Sequence, residues 1–349
     1  MKEHLRIGLV LLFAACGVSL FAQEKGREYV PAMIGFYNLE NLFDTIDSPD
    51  TEDAEFLPDG PKQWNTERYR YKLEHMARVI AELGTEVHPK GPAVLGLSEV
   101  ETGGVVEDLV AMPALKDRGY RVASHEGPDA RGVDVAFIYD PTRFQFLGQR
   151  AFRLRIPDKE DFRTRDQLMI SGVMDGDTVH CIVAHWPSRR GGQKRSEPFR
   201  IAAAQLGRSI VDSLLQADPN ARILYMGDLN DDPVDKSVRR HLKTTAQASL
   251  ARDGFLFNPM EELYRKGIGT LAWRDTWNLF DQIILSQGLL SEDRTQFSFY
   301  KAVVFNKNFL LQKEGSFAGY PFRTFVGDSY MGGYSDHFPV YVLLIRASK

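Results

Sequence analysis

The stretch that decides the fold is Ile223-Leu224-Tyr225-Met226-Gly227-Asp228-Leu229-Asn230, in which four apolar residues run into a glycine, a carboxylate and an amide. Successive apolar residues of this kind predict a strand that is buried on both faces. A carboxylate placed directly after such a strand is costly to bury without a partner. We therefore expect Asp228 and Asn230 to lie at the end of a central strand, where polar groups from other strands meet them.

Five further segments place polar residues at predicted strand ends. These residues are Asn38 with Glu40, Glu99, His185, Asp281, and Asp336 with His337. Each has an ordinary alternative explanation, since asparagine and Gly-Asp-x-Asn are common in turns, a single Glu is usually solvated, and a His before Trp-Pro fits a turn. Six such placements in one chain nevertheless predict a shared polar cleft at one edge of the sheets.

The rest of the chain alternates strand runs with two amphipathic helices. The helices are predicted over residues 66–83 and 198–215, with Ser196 as the N-cap of the second and Pro198 in its first turn. Asp175-Gly176-Asp177 predicts a hairpin turn. This order of elements predicts a layered α/β sandwich. The predicted strands are 33–37, 93–97, 133–139, 168–174, 179–184, 223–226, 282–285 and 340–345.

Composition excludes several classes of protein. The 349 residues are 43% hydrophobic and carry a net charge of −4, which excludes a disordered tail protein, a collagen-like fibre and a coiled coil. The acidic total argues against a nucleic-acid coat protein, but an enzyme that meets phosphate esters through a bound cation stays compatible with it. Two cysteines, Cys16 and Cys181, exclude a disulfide scaffold and a Cys-rich zinc module.

The first 22 residues have the pattern of a secretory signal. Lys2 and Arg6 precede an uncharged apolar run over residues 7–22, which is short for a membrane span. We expect cleavage after Ala22, export to the periplasm or the medium, and a single mature domain over 23–349 without a membrane span. An uncleaved anchor and a lipoprotein attached through Cys16 are the alternatives.

The ordered set of motifs resembles the endonuclease/exonuclease/phosphatase superfamily. The matching pieces run from about Met33 to Ile345 and combine Tyr37-Asn38-Leu39-Glu40, Ser98-Glu99, Ala184-His185, Gly227-Asp228-Leu229-Asn230, Asp281 and Ser335-Asp336-His337. The stretches over 38–44 and 185–192 look like those of exported bacterial members. The resemblance implies a deoxyribonuclease I-like fold: a four-layered α/β sandwich whose two central mixed β-sheets are flanked by helices.

The resemblance also implies a role for each site residue. It makes Glu99 the main ligand of Mg²⁺ or Mn²⁺, with Asn38, Glu40 and Asp336 as further metal ligands. His337, oriented by Asp281, acts at the scissile phosphate, and Asp228 orients or deprotonates the attacking water. His185 and Asn230 hold phosphate oxygens. Hard oxygen ligands suit these cations, which also take substrate phosphate oxygens.

Two further groups of residues have less specific patterns. Arg189 and Arg190 belong to a glycine-containing basic loop that either binds substrate phosphates at the cleft rim or is simply solvated. Residues 131–134 are expected to be mainly structural. Trp186, Trp273 and Trp277 are expected to pack in the core, with stacking on a base or sugar as the alternative.

The sequence thus predicts a metal-dependent phosphodiesterase, most simply an exported nuclease with little sequence preference. The expected partner is nucleic acid or another phosphodiester substrate, and no stable protein partner is expected. A phosphomonoesterase or a lipid-headgroup phosphodiesterase of the same fold is the first alternative. A catalytically silent binding module is the second, although the full set of site residues speaks against it.

Overall fold

The computed structural model describes residues 28–156, 159 and 161–348. The predicted signal segment 1–22, including Cys16, lies outside the described residues. Within the described part of the chain, every helix is too short or too polar to cross a membrane. Cys181 is buried and carries a free thiol.

The described residues contain seventeen strands and four α-helices, besides short 3-10 and π-helical turns. The strands are β1 (Tyr29–Leu42), β2 (Val94–Val100), β3 (Arg121–Ser124), β4 (Asp134–Tyr139), β5 (Phe144–Phe152), β6 (Gln167–Met174), β7 (Asp177–His185), β8 (Arg222–Asp228), β9 (Thr244–Thr245), β10 (Leu256–Phe257), β11 (Leu271–Trp273), β12 (Thr276–Asn278), β13 (Asp281–Leu285), β14 (Ser298–Val304), β15 (Phe325–Val326), β16 (Ser329–Tyr330) and β17 (Val340–Ala347). The helices are α1 (Thr66–Glu82), α2 (Gly103–Ala111), α3 (Gln193–Ala217) and α4 (Met260–Arg265).

Two mixed sheets form the centre of the structure. The first contains six strands in the order β14-β17-β1-β2-β4-β3, and the second contains seven in the order β5-β6-β7-β8-β13-β10-β9. A parallel pair lies in the middle of each sheet, β1 with β2 and β7 with β8. The predicted sandwich of two mixed sheets flanked by helices is therefore confirmed.

Alternating side chains of β8 show how the layers pack. Leu224 and Met226 belong to the core that also contains the first sheet, whereas Ile223 and Tyr225 pack with apolar residues of α3 on the opposite face. Successive strand residues point to opposite faces, so an apolar run such as Ile223–Met226 needs cover on both sides. The first sheet and α3 provide that cover.

The start of α3 differs from its prediction. The helix begins at Gln193 and its N-cap is Gly192, so Ser196 lies inside the first turn and Pro198 follows within the helix. The Ser196 hydroxyl donates to the Gly192 carbonyl at 2.8 Å, whereas an N-cap serine would accept from a backbone N–H. The prediction of Ser196 as the N-cap is therefore wrong.

Gly227 brings β7 and β8 together just before their ends. Its φ is +154°, and a Cβ at this position would lie 1.8 Å from the Ala184 carbonyl oxygen. Only glycine leaves room for this close approach of the two backbones. The register that follows pairs His185 directly with Asp228.

Candidate active site

The C-terminal ends of the two central parallel pairs meet at one edge of the sandwich. They carry Asn38, Glu99, His185 and Asp228. Asp281 joins them because it begins β13, which runs antiparallel to β8 and pairs Asp281 with Asp228. The polar strand ends that the sequence singles out thus converge in space.

Asp228 lies at the centre of this cluster. Its Oδ2 accepts a hydrogen bond from Asn38 Nδ2 at 3.1 Å, and its Oδ1 accepts one from the Asn230 backbone N–H at 2.9 Å. His185 Nε2 and His337 Nε2 lie 3.6 and 3.9 Å from Asp228 Oδ2. Burial raises the pKa of Asp228 to about 7, although the charge of His337 opposes this effect. A carboxyl group with this pKa is suited to accepting a proton near neutral pH.

His337 and Asp281 form a buried ion pair. His337 Nδ1 lies 2.7 Å from Asp281 Oδ2, and the Asp281 side chain is fully buried. Burial lowers the pKa of His337, but the carboxylates of Asp281, Asp336 and Asp228 outweigh it and hold the pKa well above its ordinary value. His337 is therefore a fixed cation whose Nε2 faces Asp228.

His185 is the uncharged counterpart of His337. Burial lowers its pKa well below the ordinary value, and the charges of Arg165, Arg131 and His337 act in the same direction. Its Nδ1 is buried without a hydrogen-bond partner, whereas Nε2 lies 3.8 Å from Glu99 Oε1 as well as close to Asp228. The two imidazoles thus differ in charge and approach Asp228 with the same ring atom.

Four of the ten non-glycine residues with positive φ in the described part of the chain lie at this edge. Glu40, Asn41, Glu99 and Asn230 all have a φ between +50° and +59° although none is glycine. Each such conformation costs of order 1 kcal/mol or more and persists only where the surroundings enforce it. Such strain is typical of functional sites, because it aims side chains in directions that a regular strand end does not allow.

The predicted metal ligands differ in what they offer a cation. Glu99 Oε1 faces the side chains of Asn38 and His185. Glu99, His185 and Asp228 also form a group whose side-chain atoms are close enough to hold a metal ion. Asn38 turns its Nδ2 toward the two carboxylates, and its Oδ1 accepts the Glu40 N–H at 2.9 Å. Glu99 therefore has the donor chemistry that Mg²⁺ or Mn²⁺ requires, with the rest of the shell left to water and substrate oxygens.

Glu40 and Asp336 lie behind this cluster. The Glu40 carboxylate accepts the backbone N–H groups of Thr324 and Phe325, at 2.6 and 3.3 Å, and lies 4.0 Å from buried Lys72. Asp336 accepts from Arg323 at 2.6 Å through Oδ2, while its Oδ1 lies 3.9 Å from His337 Nε2. The structure thus uses Glu40 to fasten the loop that carries His337, whereas Asp336 keeps one oxygen directed at the site.

The basic loop and Asn230 are also placed. Arg189 is 23% exposed and its Nη2 contacts Asp231, Asp232 and Asp235 at 3.2, 3.4 and 2.8 Å. Its Nε donates to the Asn230 carbonyl, so Arg189 anchors the turn after β8, with its charge already balanced. Arg190 is exposed. The Asn230 Nδ2 donates one hydrogen bond to the Trp186 carbonyl at 3.0 Å, which leaves its second amide hydrogen for a ligand.

The tryptophans divide between core and surface. Trp186 is buried and donates to Tyr225, and half-buried Trp277 stacks on Phe338, as core packing predicts. Trp273 is 65% exposed, so the expectation that it packs in the core is wrong. It is the last residue of β11, next to the turn of a two-stranded hairpin, where little of the protein covers its ring.

Arg131 is a functional candidate that the sequence argument expected to be mainly structural. Its Nη1 donates to Asn41 Oδ1 at 3.4 Å, the Asn41 N–H donates to Glu99 Oε2, and its charge contributes to the low pKa of His185. The side chain is 39% exposed and lies 3.9 Å from Asp129. The antiparallel pairing of β4 with β2 explains this position, since the residues before β4 then lie at the edge where β2 ends.

Asp134, the first residue of β4, is a buried carboxylate that predicts an unusual pH dependence of stability. Burial raises the pKa of Asp134 to about 7, although its hydrogen bond from Gly127 opposes this effect. The folded state therefore holds a proton that the unfolded chain has released, and stability falls as pH rises from about 4 to 7. Asp134→Asn removes this loss, and we expect it to raise the free energy of unfolding at pH 8 by on the order of 2 kcal/mol.

Urea unfolding at pH 4.5 and pH 8 measures this effect. The stabilisation of the Asp134→Asn protein should grow between the two pH values, because asparagine can still accept the Gly127 N–H. Asp117→Asn, at an exposed position, is the control and should show no such growth. Stability curves of the Asp134→Asn and wild-type proteins that run parallel in pH would contradict the prediction.

One protein-family model matches the part of the chain that forms both central sheets. The model of the Endonuclease/Exonuclease/phosphatase family matches residues 33–346, which span β1 to β17. The chain belongs to the endonuclease/exonuclease/phosphatase family. A search of curated protein sequences finds no match.

Solved structures share the fold of this family member at low sequence identity. Truncated TDP2 from Caenorhabditis elegans is 16% identical with a TM-score of 0.54, over 90% of this chain and 97% of that chain. A mannosyl-6-phosphatase from Bacteroides thetaiotaomicron is 18% identical with a TM-score of 0.52, over 90% and 99%. The human Nocturnin catalytic domain with bound sulfate is 16% identical with a TM-score of 0.52, over 92% and 98%.

Proposed function

We propose that this endonuclease/exonuclease/phosphatase family member is a divalent-metal-dependent phosphodiesterase that cleaves nucleic acid with little sequence preference. The observation that carries the proposal is Asp228, a buried carboxyl group with a pKa of about 7 that lies between two imidazoles. Glu99 adds a carboxylate oxygen directed at the same space. Together these residues offer a proton acceptor (Asp228), a cation (His337), a neutral donor (His185) and a metal ligand (Glu99) around one shared space.

Phosphodiester hydrolysis requires positive charge and a positioned water. A phosphodiester is anionic and repels hydroxide, so a site must neutralise the developing charge on the phosphate oxygens. His337, held protonated by Asp281, supplies a cation at one oxygen, and neutral His185 can donate from Nε2 to another. Asp228 accepts the proton of the attacking water as the oxygen–phosphorus bond forms, and the bond to the leaving oxygen breaks.

Glu99 would hold the metal ion. Asp336 Oδ1, on the far side of His337, is the second carboxylate oxygen that faces the site. A bound Mg²⁺ or Mn²⁺ would polarise a phosphate oxygen and neutralise its charge. Asn38 positions Glu99 and Asp228 relative to each other through its Nδ2 hydrogen bonds.

A substrate panel tests the proposed reaction. We expect the purified protein with Mg²⁺ or Mn²⁺ to cleave DNA, RNA and bis(p-nitrophenyl) phosphate faster than p-nitrophenyl phosphate or sphingomyelin. The family also includes phosphatases, so faster cleavage of the monoester would establish a phosphomonoesterase instead. Preference for sphingomyelin would establish a lipid-headgroup enzyme, and no hydrolysis of any of these substrates would leave the silent binding module.

Arg131 is expected to bind a substrate phosphate. Arg131→Ala removes a half-exposed guanidinium that donates to Asn41, the residue whose N–H binds Glu99. The substitution should lower kcat/KM for a dinucleotide diester about 10- to 100-fold, chiefly through KM, because charged hydrogen bonds contribute about 1.5–3 kcal/mol. Arg131→Lys should recover part of the loss. Arg121→Ala, at an exposed position on β3 away from the site edge, is the control. Equal KM values for the Arg131→Ala and wild-type proteins would remove Arg131 from substrate binding.

We also propose that the protein is exported, on the basis of the charged start and apolar run over residues 2–22. The free buried thiol of Cys181 is compatible with export, since the mature protein then folds without oxidation. Intact-mass measurement of the protein from a periplasmic or secreted fraction tests it. A mature chain that begins at Gln23 is expected. A lipid-modified Cys16 would contradict cleavage after Ala22 while still showing export, and an uncleaved Met1 would contradict the proposed signal.

A further inference from the structure

We call the group of Glu99, His185, Asp228, Asp281 and His337 the catalytic cluster. A cavity of about 400 Å³ lies beside this cluster. It is enclosed by the β11–β12 hairpin, by the segment that precedes β15, and by the loop that leads to His337. The residues that matter for its chemistry are Trp273, Arg274, Phe317, Tyr320, Arg323 and Asp336. The volume falls in the range of small-ligand sites, about 300–1,000 Å³.

Asp336 connects the cavity to the catalytic centre. Its Oδ2 is held by Arg323 at 2.6 Å, and its Oδ1 lies 3.9 Å from His337 Nε2. Both Arg323 and Asp336 line the cavity. A phosphate bound at His337 would therefore lie within reach of the cavity through Asp336.

Aromatic surface dominates the opposite wall. Trp273 is 65% exposed and Phe317 41% exposed, which is unusual for such large apolar rings. Tyr320 lies between Phe317 and Trp277, with ring centroids 5.7 and 6.1 Å away, and its hydroxyl fastens Asp275 of the hairpin turn. The exposed rings are thus presented by a turn that has its own hydrogen bonds.

The polar groups of the cavity favour a planar ring over a sugar. A sugar is held mainly through its hydroxyl groups, for which carboxylates are effective acceptors. Each carboxylate that lines the cavity has one oxygen already engaged, Asp275 Oδ1 with the Tyr320 hydroxyl and Asp336 Oδ2 with Arg323. The lining also offers the polar side chains of Gln312 and Ser316, the aromatic faces, and the Arg274 guanidinium, which lies 5.6 Å from the Trp273 ring centroid. The aromatic faces and the guanidinium bind a flat π-system by stacking.

We propose that this cavity is a nucleobase subsite, in which the base attached to the scissile phosphate stacks on Trp273. The proposal rests on the proposed phosphodiesterase function and specifies its substrate as a nucleotide ester. Stacking accepts every base, so such a subsite binds nucleic acid without reading its sequence. It also explains how an acidic chain holds nucleic acid without a broad basic face.

Calorimetric titration with two matched probes tests the subsite without turnover. Adenosine 5′-monophosphate and ribose 5-phosphate carry the same phosphate and differ by the base. They are titrated with Mg²⁺ into the Asp228→Asn protein, and phosphate release is followed to show that both probes stay intact. We expect the nucleotide to bind about 5- to 150-fold more tightly, the range that one stacked base contributes.

Substitution of Trp273 then locates the effect. In the Asp228→Asn background, Trp273→Ala should reduce the ratio of the two dissociation constants to near one, and Trp273→Phe should retain part of it. Phe255→Ala removes an aromatic ring that is 39% exposed outside the cavity and should leave the ratio unchanged. Equal binding of the two probes before substitution, or an undiminished ratio in Trp273→Ala, would overturn the subsite. The proposed function fails on a different result, the absence of diester hydrolysis by the wild-type protein.

Discussion

Asp228→Asn is expected to lower kcat/KM for phosphodiester hydrolysis by about 100- to 10,000-fold, the range that loss of a general base produces. The substitution removes the only proton acceptor that lies between the two imidazoles of the described site. The wild-type rate should rise as pH increases through the pKa of Asp228, near 7, because the carboxylate form accepts the proton. The variant should lose this rise.

The fold should survive the Asp228→Asn substitution. Asparagine can still accept the Asn230 N–H through its side-chain oxygen, and a buried charge is removed rather than created. Asp140→Asn is the matched control, since Asp140 is an equally buried carboxylate at the far end of β4 that accepts from Thr142. A rate within a few-fold of wild type in Asp228→Asn, with the same pH profile, would show that another group takes the proton.

Asp281→Asn is expected to lower turnover by about 100- to 10,000-fold, because an amide cannot hold His337 as an oriented cation. The 2.7 Å contact to Nδ1 fixes the ring, and the Asp281 charge is the leading cause that raises the pKa of His337 against burial. Histidine resonances in NMR spectra should show that His337 releases its proton at lower pH in the variant. Activity should accordingly decline at a lower pH than in the wild-type protein.

A second histidine–aspartate pair, with a buried Asp166 and a His125 side chain that is 36% exposed, provides the control for this prediction. His125 Nε2 lies 3.0 Å from Asp166 Oδ2, away from the catalytic cluster. Asp166→Asn should perturb His125 while leaving the rate close to that of the wild-type protein. If Asp281→Asn and Asp166→Asn have equal effects on the rate, the His337–Asp281 pair has a structural role only.

The convergence of the site could be predicted from sequence because it follows from strand topology. Asn38, Glu99, His185 and Asp228 each follow an apolar run, and parallel pairing brings the ends of such runs to one edge. Asp281 and His337 join them through the strands they border. Local patterns thus identified the residues, although no pattern gave the distances among them.

Pairing between distant residues could not be predicted in the same way. Glu40 has the same local pattern as Asn38, yet its oxygens bind the backbone of Thr324 and Phe325, more than 280 residues along the chain. Arg189 has the pattern of a solvated basic loop, yet three aspartates of the turn after β8 balance its charge. The partner of each charged side chain is set by tertiary contacts, which the neighbouring sequence does not indicate.

Arg131 and Trp273 show two further limits of sequence patterns. Arg131 lies at the site only because β4 runs antiparallel to β2, a pairing that the order of strands leaves open. Trp273 is exposed because it stands next to the two-residue turn of the β11–β12 hairpin, whereas its large apolar ring alone favours the core. We propose that both residues contact the substrate, and neither stands in a motif that the sequence alone marks as functional.

The initial rate of bis(p-nitrophenyl) phosphate hydrolysis, with Mg²⁺ present and after its removal by EDTA, tests the central claim most directly. The substrate contains only the diester, so the rate reports the catalytic cluster without contributions from base or sequence recognition. We predict hydrolysis that EDTA abolishes and that added Mg²⁺ or Mn²⁺ restores. No hydrolysis with either metal, or a rate that EDTA leaves unchanged, would contradict a metal-dependent phosphodiesterase.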